Sequence, residues 1–162
     1  MSRIRIGQGF DIHRFAPNRR LVIGGVNIPH DRGLLGHSDA DVLLHAICDA
    51  LLGAAGLPDI GHYFPPSEAK FKDADSLTLL SEVKRLIETV GYHAVINVDA
   101  TIMAEKPKML PHIPLMKSRI ASVLRIAEEQ IGIKATTCES LGFVGREEGM
   151  AASAVCLIAD HE

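Results

Sequence analysis

The spacing of apolar positions changes along the chain and predicts its strands. Residues 3–10 alternate between apolar and polar side chains, which is typical of a half-buried strand. Two short apolar runs, at 21–23 and 26–28, flank Gly24-Gly25. Because glycines tolerate positive φ, this segment indicates a hairpin. Further strands are predicted at 93–104, 131–138 and 150–159.

Three other segments repeat their apolar residues at helical spacing. Helices are therefore predicted over Asp39–Ala55, Ser76–Val90 and Ile113–Arg125. Gly56 ends the first of these helices, and Ser38 or Asp39 caps its start. Residues 57–74 are predicted to form a loop, and a short helical turn is predicted near Glu128.

The mixed order of strands and helices, with at least one hairpin, favours an α+β fold over a doubly wound parallel one. We expect a two-layer sandwich in which helices pack on one face of a mixed β-sheet. The chain has no low-complexity segment, clear repeat or Pro/Ser linker, so residues 1–162 are expected to form a single domain. Its 162 residues, 47% hydrophobic and 23% charged, suffice for one core.

Charge and cysteine content narrow the expected partners and location. The net charge is −3 and no basic stripe is present, so we expect no nucleic-acid partner. No run of about 18 apolar residues exists, so we expect no membrane partner either. Cys48, Cys138 and Cys156 are odd in number and far apart. They indicate a fold without disulfides in a reducing compartment, and hence a cytoplasmic protein.

Asp11 and His13 are two residues apart, which places their side chains on the same side of an extended segment. His45, inside the first predicted helix, offers a third ligand. Two histidines and one carboxylate are a common catalytic zinc set that leaves one coordination position open. The spacing alone is weak evidence, however, in a chain with eight histidines. The alternative is that Asp11 caps a turn and that His45 is a hydrogen-bonded core histidine.

The first predicted helix has an unusual polar face. Asp41, His45 and Asp49 recur every four residues and therefore stack on one side. His37-Ser38 precede the helix and point toward its N-terminus, where phosphate groups bind readily. A metal ligand and a phosphate site would then share one helix entry. The alternative makes Asp41 a first-turn acid favoured by the helix dipole.

Four stretches together resemble the 2-C-methyl-D-erythritol 2,4-cyclodiphosphate synthase family. They read GFDIHRF, GHSDADVLLHAICDALLGAAGLPDIGHYFP, INVDATIMAEKPKMLPHI and IKATTCESLGFVGREEGMAA, and they cover nearly the whole chain in order. The resemblance implies conversion of 4-diphosphocytidyl-2-C-methyl-D-erythritol 2-phosphate to the cyclic diphosphate, with release of CMP, in the non-mevalonate isoprenoid pathway. It also implies a homotrimer with active sites between subunits, and the plastid stroma as the location if the chain is a mature plastid enzyme.

The resemblance also assigns roles to residues. It implies one zinc ion on Asp11, His13 and His45, and a second divalent ion, magnesium or manganese, placed with the help of Glu139. His37 and Thr137 become transition-state stabilisers. The implied substrate contacts are Ser38, Asp59, Ile60, Gly61, Phe64, Pro65, Pro66, Ser67, Glu68, Ala104, Pro107, Lys108, Met109, Leu110, Thr136, Cys138, Glu139, Phe143 and Arg146.

Several of these residues have alternative interpretations. Residues 104–110 would form the cytidine pocket, or else residues 107–110 are an ordinary loop whose Met109 and Leu110 fill the core. Arg146 would line a central trimer channel, or else pair with Glu148 on the surface. Cys138 stands where the family pattern has threonine, as Gln8 stands for a frequent histidine. Strand alternation favours Cys138 in the core over a contact with the diphosphate.

The implied reaction is an internal phosphoryl transfer from a nucleophile that is itself a phosphate. Its second pKa is about 6, so it is ionised near neutral pH and needs no strong base. Catalysis then consists of positioning and charge neutralisation, with the metal holding the attacked phosphate. One rival function is a zinc phosphohydrolase with Asp41 or Glu139 as the base. Another is a non-catalytic protein that binds nucleotides or isoprenoid diphosphates.

Overall fold

The computed structural model describes residues 3–68 and 71–161. Residues 69 and 70 of the predicted loop, and residues 1, 2 and 162 of the expected domain, lie outside this range. The strands are β1 (Ile4–Pro17), β2 (Leu21–Ile23), β3 (Val26–Ile28), β4 (Arg32–Leu34), β5 (Ala94–Met103), β6 (Ile131–Thr136) and β7 (Gly149–Ala159). The helices are α1 (Val42–Ala55), α2 (Ile60–Tyr63), α3 (Ser76–Thr89), α4 (Ile113–Leu124) and α5 (Gly142–Gly145).

The main sheet has five strands in the order β4-β1-β7-β5-β6. Strand β7 runs antiparallel to both β1 and β5, whereas β5 and β6 are parallel, so the sheet is mixed. Helices α1, α3 and α4 cover one face of it. The predicted two-layer α+β fold is confirmed, as is the β2–β3 hairpin.

Two glycines let α1 lie directly on β1. A Cβ atom added at Gly7 would stand 1.9 Å from the backbone oxygen of Ala50, and one at Gly9 would stand 1.9 Å from that of Ala46. No side chain fits in these gaps, so the helix and strand backbones approach as closely as packing allows. This contact brings the next residue pair along β1, Asp11 and His13, level with the first turns of α1.

The start of α1 differs from the prediction. The helix begins at Val42, and its N-cap is Asp41 instead of Ser38 or Asp39. The Asp41 carboxyl group is fully buried and accepts hydrogen bonds from the backbone N–H groups of Leu44, Gly24 and Gly25. It therefore ties the β2–β3 turn to the helix, a tertiary contact that local sequence does not reveal. The predicted end at Gly56 is confirmed, since Gly56 is left-handed there.

Two other predictions were wrong in detail. The segment predicted as loop 57–74 contains the short helix α2. Strand β6 ends at Thr136, two residues before the predicted end, so Cys138 lies half-buried in the following turn and not in the core. Cys48, Cys138 and Cys156 are all free thiols, as expected. Within the described residues, no helix is both long and apolar enough to span a bilayer.

Candidate functional site

Asp11, His13 and His45 meet at one point between β1 and α1. Asp11 Oδ2 lies 3.0 Å from His13 Nε2 and 3.0 Å from His45 Nδ1. The two imidazole nitrogens lie 3.1 Å apart. All three residues are partly buried, and each offers one ligand atom to the same point, so the group could hold a metal ion. The predicted convergence of these three side chains is confirmed.

The donor set suits a divalent metal. The outward nitrogen of His13, Nδ1, lies 2.9 Å from the carbonyl oxygen of Leu35. Because a carbonyl only accepts, Nδ1 carries the hydrogen and the inward Nε2 keeps its lone pair. A carboxylate oxygen and an imidazole lone pair therefore point at one another across 3.0 Å, an arrangement that a bound cation relieves.

The charge of the Asp11 carboxylate is well defined. Burial raises its pKa, but the imidazoles of His13 and His45, which donate to it when they are protonated, outweigh this and lower the pKa to about 2. For His45, burial lowers the pKa, and the carboxylates of Asp11, Asp41 and Asp39 together raise it by more. Asp11 is therefore ionised near neutral pH, as a metal ligand must be.

The polar face predicted for α1 is present, but its three members have different surroundings. Asp41 caps the helix, and His45 belongs to the metal group. Asp49 accepts a hydrogen bond of 2.8 Å from the backbone N–H of Ile60 and so fixes the start of α2. At this helix entry, Asp41 also occupies the backbone N–H of Leu44.

A cavity of about 190 Å³ opens beside the metal group. Most of its lining was predicted from sequence, namely His13, His37, Ser38, His45, Ile60, Gly61, Phe64 and Pro66. Phe71 and Leu79 complete the wall and were missed, because nothing in the local pattern distinguishes them from ordinary apolar residues.

Four of the substrate residues expected in this region are not among the cavity's lining: Asp59, Pro65, Ser67 and Glu68. Asp59 is the N-cap of α2 and accepts from the His62 N–H group at 3.1 Å. The backbone oxygen of Glu68 lies 3.3 Å from His37 Nε2, so this segment contacts the ring that faces the cavity.

A second cavity, of about 200 Å³, lies at the ends of β5 and β6. Its lining contains the predicted residues Ala104, Pro107, Lys108, Met109, Leu110, Thr136 and Thr137, together with Glu105 and Ala135. The alternative in which Met109 and Leu110 both fill the core is half right. Met109 is buried, whereas Leu110 is 77% exposed.

The turn after β6 is organised by Glu105, which belongs to the predicted segment 104–110 but was not predicted to hold this turn. Its Oε1 accepts hydrogen bonds from the backbone N–H groups of Cys138, at 2.9 Å, and Ser140, at 3.3 Å. Thr137 donates its hydroxyl hydrogen to Glu139 at 2.7 Å. The sequence signal that could have indicated this role was an acidic side chain at the end of β5. Glu105 thus presents Thr137 and Glu139 from a fixed turn.

Phe143 and Arg146 lie in and just after α5 and line neither of these two cavities. The Arg146 guanidinium pairs with Glu148 at 2.8 Å on the surface, which confirms the predicted ion pair. The two cavities share no lining residue. In one copy of the chain, the metal group and the turn with Thr137 and Glu139 therefore belong to separate clefts.

Comparison with known proteins identifies relatives over nearly the whole chain. The model of the YgbB family matches residues 4–159. The curated 2-C-methyl-D-erythritol 2,4-cyclodiphosphate synthase of Moorella thermoacetica is 59% identical, covering 98% of this chain and 97% of that protein.

Solved structures agree with this match. The bifunctional IspDF of Campylobacter jejuni superposes with a TM-score of 0.93 at 44% identity; the alignment covers 98% of this chain but only 43% of that longer protein. The IspF of Plasmodium falciparum, solved as a complex with CDP, gives a TM-score of 0.83 at 36% identity, covering 96% and 95% of the two chains.

Proposed function

The chain belongs to the YgbB family, and on this premise we propose how its residues carry out the synthesis of 2-C-methyl-D-erythritol 2,4-cyclodiphosphate. Relatives with about the same identity as the Moorella enzyme carry that name, and they align with nearly the whole chain. The chain is therefore an enzyme with this activity. The substrate would be 4-diphosphocytidyl-2-C-methyl-D-erythritol 2-phosphate, and CMP would leave. The convergence of Asp11, His13 and His45 beside the His37-Ser38 cavity carries the proposal.

The reaction places several negative charges in line, so the chain must supply positive and hydrogen-bonding groups at fixed positions. A divalent metal bound to Asp11, His13 and His45 would act as a Lewis acid toward a phosphate oxygen. Two imidazoles and a carboxylate favour zinc as that metal. His37 and Ser38 line the same cavity and would donate hydrogen bonds to the attacked phosphate.

The second cavity supports the remaining assignments. Residues 104–110 would hold the cytidine, with backbone groups reading the base edge and Leu110 offering exposed apolar surface. Thr137 would contact the diphosphate from the turn that Glu105 fixes, and would release its hydrogen bond to Glu139 in order to donate. The carboxylate of Glu139 is an oxygen ligand of the kind that magnesium or manganese prefers, and it would help to hold the second ion.

Self-association would bring the two clefts together. The sheet face opposite the helices exposes a row of large apolar side chains, Ile4, Ile6, Phe10, Ile12 and Val155. Monomeric proteins rarely leave such a row open to water. We propose that these side chains meet in a homotrimer, where the metal group of one subunit faces the residue 104–139 region of its neighbour.

The phosphohydrolase alternative lacks a suitable base. Asp41 is fully buried, and its carboxyl oxygens are occupied by three backbone N–H groups. Glu139 already accepts from Thr137, and in the proposed assembly it would hold the second ion and so would not be free to act as the base. A non-catalytic binding protein is disfavoured because relatives matched over nearly the whole chain are named as synthases.

We propose that the chain acts as a single domain, in agreement with a family match that spans residues 4–159. The three free thiols support a reducing compartment, so the cytoplasm, or the plastid stroma for a mature plastid enzyme, is the proposed location.

Replacing His45 with alanine tests the metal site. We expect His45→Ala to lose bound zinc and turnover while keeping its fold, because the other two ligands cannot hold the ion alone. His93→Ala, an exposed histidine that lines neither cleft, is the matched control. Elemental analysis, circular dichroism and turnover are measured together. Full activity in His45→Ala, or a native protein free of metal, would contradict the proposal.

A further inference from the structure

Ser76 connects the metal group to the half-buried carboxylate of Asp39. It is the first residue of α3 and is completely buried. Its Oγ lies 3.1 Å from His45 Nε2, the ring nitrogen that faces away from Asp11. The same Oγ donates its hydrogen to Asp39, and the Ser76 backbone N–H donates to the other oxygen of that carboxylate at 3.0 Å.

These contacts fix the direction of every hydrogen bond in the series. An ionised carboxylate only accepts, so the single hydroxyl hydrogen of Ser76 points to Asp39. Ser76 Oγ can then only accept from His45, and Nε2 must carry the ring hydrogen. In the neutral ring, Nδ1 is left with its lone pair aimed at Asp11 Oδ2, 3.0 Å away.

The Asp39 carboxylate is itself held in place. The backbone N–H of Asp41 donates to it at 3.2 Å, and the backbone N–H of Asp39 donates to Ala74 at 3.1 Å. A further bond of 2.8 Å joins the Asp73 N–H to the His37 carbonyl. The loop before α1 and the loop before α3 are therefore bonded to each other at the point where Ser76 meets His45.

We propose that Asp39 and Ser76 are positioning residues that hold His45 in the tautomer and ring orientation required for metal binding through Nδ1. Neither residue reaches the ligand atoms of the metal group. Ser38 Oγ lies 3.2 Å from the same Nε2 and accepts from the Ala40 N–H, but it has no carboxylate behind it to fix the direction of its own hydroxyl hydrogen. The role rests on the metal site proposed above and extends it to α3.

Zinc affinity of Ser76→Ala tests the role without relying on turnover. Loss of an outer hydrogen-bond partner of a ligating histidine typically weakens metal binding by about 10–100-fold, and we expect a loss in this range. Affinity is measured by competition with a chromophoric chelator, and the metal-free proteins are compared by thermal unfolding. Ser81→Ala, an exposed serine on the same helix, is the control and should bind zinc like the wild type.

Two further variants separate positioning from packing. Ser76→Thr keeps the hydroxyl group and should recover most of the zinc affinity. Asp39→Asn keeps the shape of the side chain but can place an amide hydrogen toward Ser76, so the direction of the Ser76 hydroxyl is no longer fixed. Like Ser76→Ala, it should therefore weaken zinc binding. The absorption spectrum of the Co²⁺-loaded protein should change in Ser76→Ala, because the His45 ring is no longer held in one orientation.

Zinc affinity in Ser76→Ala within twofold of the wild type would overturn the positioning role. A loss of zinc affinity that only parallels a loss of thermal stability would also overturn it. In that case Ser76→Thr would not recover the affinity and Asp39→Asn would not reproduce the loss. A wild-type protein that binds no zinc would overturn both this role and the metal site. Tight wild-type binding with unchanged Ser76→Ala affinity would overturn the positioning role alone.

Discussion

At the scale of single residues, buried acids in this protein differ by their partners. Asp11 faces two imidazoles, which hold its pKa at about 2. Asp41 is completely buried and lies near a second acid, Asp39. Burial, helped by the charge of Asp39, raises its pKa to about 6, although backbone N–H groups of Gly25, Leu44 and Gly24 oppose the shift. Asp11 is therefore a ligand carboxylate, whereas Asp41 is a structural acid.

The Asp41 shift predicts how stability depends on pH. Its pKa is about 6 in the folded chain against 3.8 for the free group, so the folded state binds the proton more tightly. Asp41 therefore contributes stability that is complete below about pH 4 and is lost as the pH rises to about 6. The full loss is on the order of 3 kcal/mol.

Asp41→Asn cannot titrate and isolates this contribution. Urea unfolding of both metal-free proteins between pH 4 and pH 7 should show the stability advantage of the wild type shrinking as the pH rises. A difference that stays constant, or one that grows with pH, would mean that the hydrogen bonds dominate and that burial does not raise the pKa.

Sequence reasoning worked at this scale where a side chain's role follows from spacing. Alternation placed Asp11 and His13 on one side of β1, and helical periodicity placed His45 inside α1. It failed where a role depends on a distant partner. Asp41 caps α1 through the β2–β3 turn, and Ser76 reaches His45 from another helix. Neither contact leaves a local pattern.

At the scale of elements, the close packing of α1 on β1 builds the metal group. Gly7 and Gly9 remove the side chains that would separate the two backbones. The sequence predicted both elements but not this contact, because a glycine in a strand indicates a close approach without naming the partner. Boundaries were harder still. Strand β1 extends seven residues beyond its predicted end, because β7 pairs with residues 11–14 and β4 pairs with residues 15–17.

Gly9→Ala should damage both the fold and the metal group. The new Cβ atom meets the Ala46 carbonyl oxygen at 1.9 Å, so α1 must move away from β1. We expect a loss of about 1–3 kcal/mol in unfolding free energy, together with weaker zinc binding, because His45 moves with the helix.

Gly53→Ala, inside α1, is the matched control. Its Cβ atom would meet only the Gln8 oxygen, at 3.9 Å, an ordinary contact. Alanine there should be neutral or stabilise the protein by about 0.5–1 kcal/mol. Equal effects of the two substitutions in urea unfolding would show that the backbone approach is not tight.

At the scale of the whole molecule, the proposed trimer accounts for two features together: the uncovered face of the sheet and the separation of the two clefts. The helix-covered face forms the core, and the opposite face exposes Ile6 and Phe10. The sequence pattern predicted a half-buried first strand but could not show what covers its second face. Only the family resemblance supplied the expectation of a trimer.

Ile6→Glu should disrupt self-association. Ile6 is 69% exposed in one copy, so the substitution costs little in the isolated chain but would bury a charge in an assembly. We expect sedimentation to shift from the mass of three chains toward one, with loss of turnover. Val90→Glu, an exposed apolar residue at the end of α3, should leave both unchanged. A wild-type monomer with full activity would contradict the proposed assembly.

The products formed from 4-diphosphocytidyl-2-C-methyl-D-erythritol 2-phosphate test the central claim most directly. If the groups around Asp11, His13 and His45 orient a phosphate for attack by the substrate's own 2-phosphate, phosphorus NMR will show the cyclic diphosphate and CMP in equal amounts. His45→Ala will form neither product. Linear phosphate products, formed by attack of water, would contradict the claim.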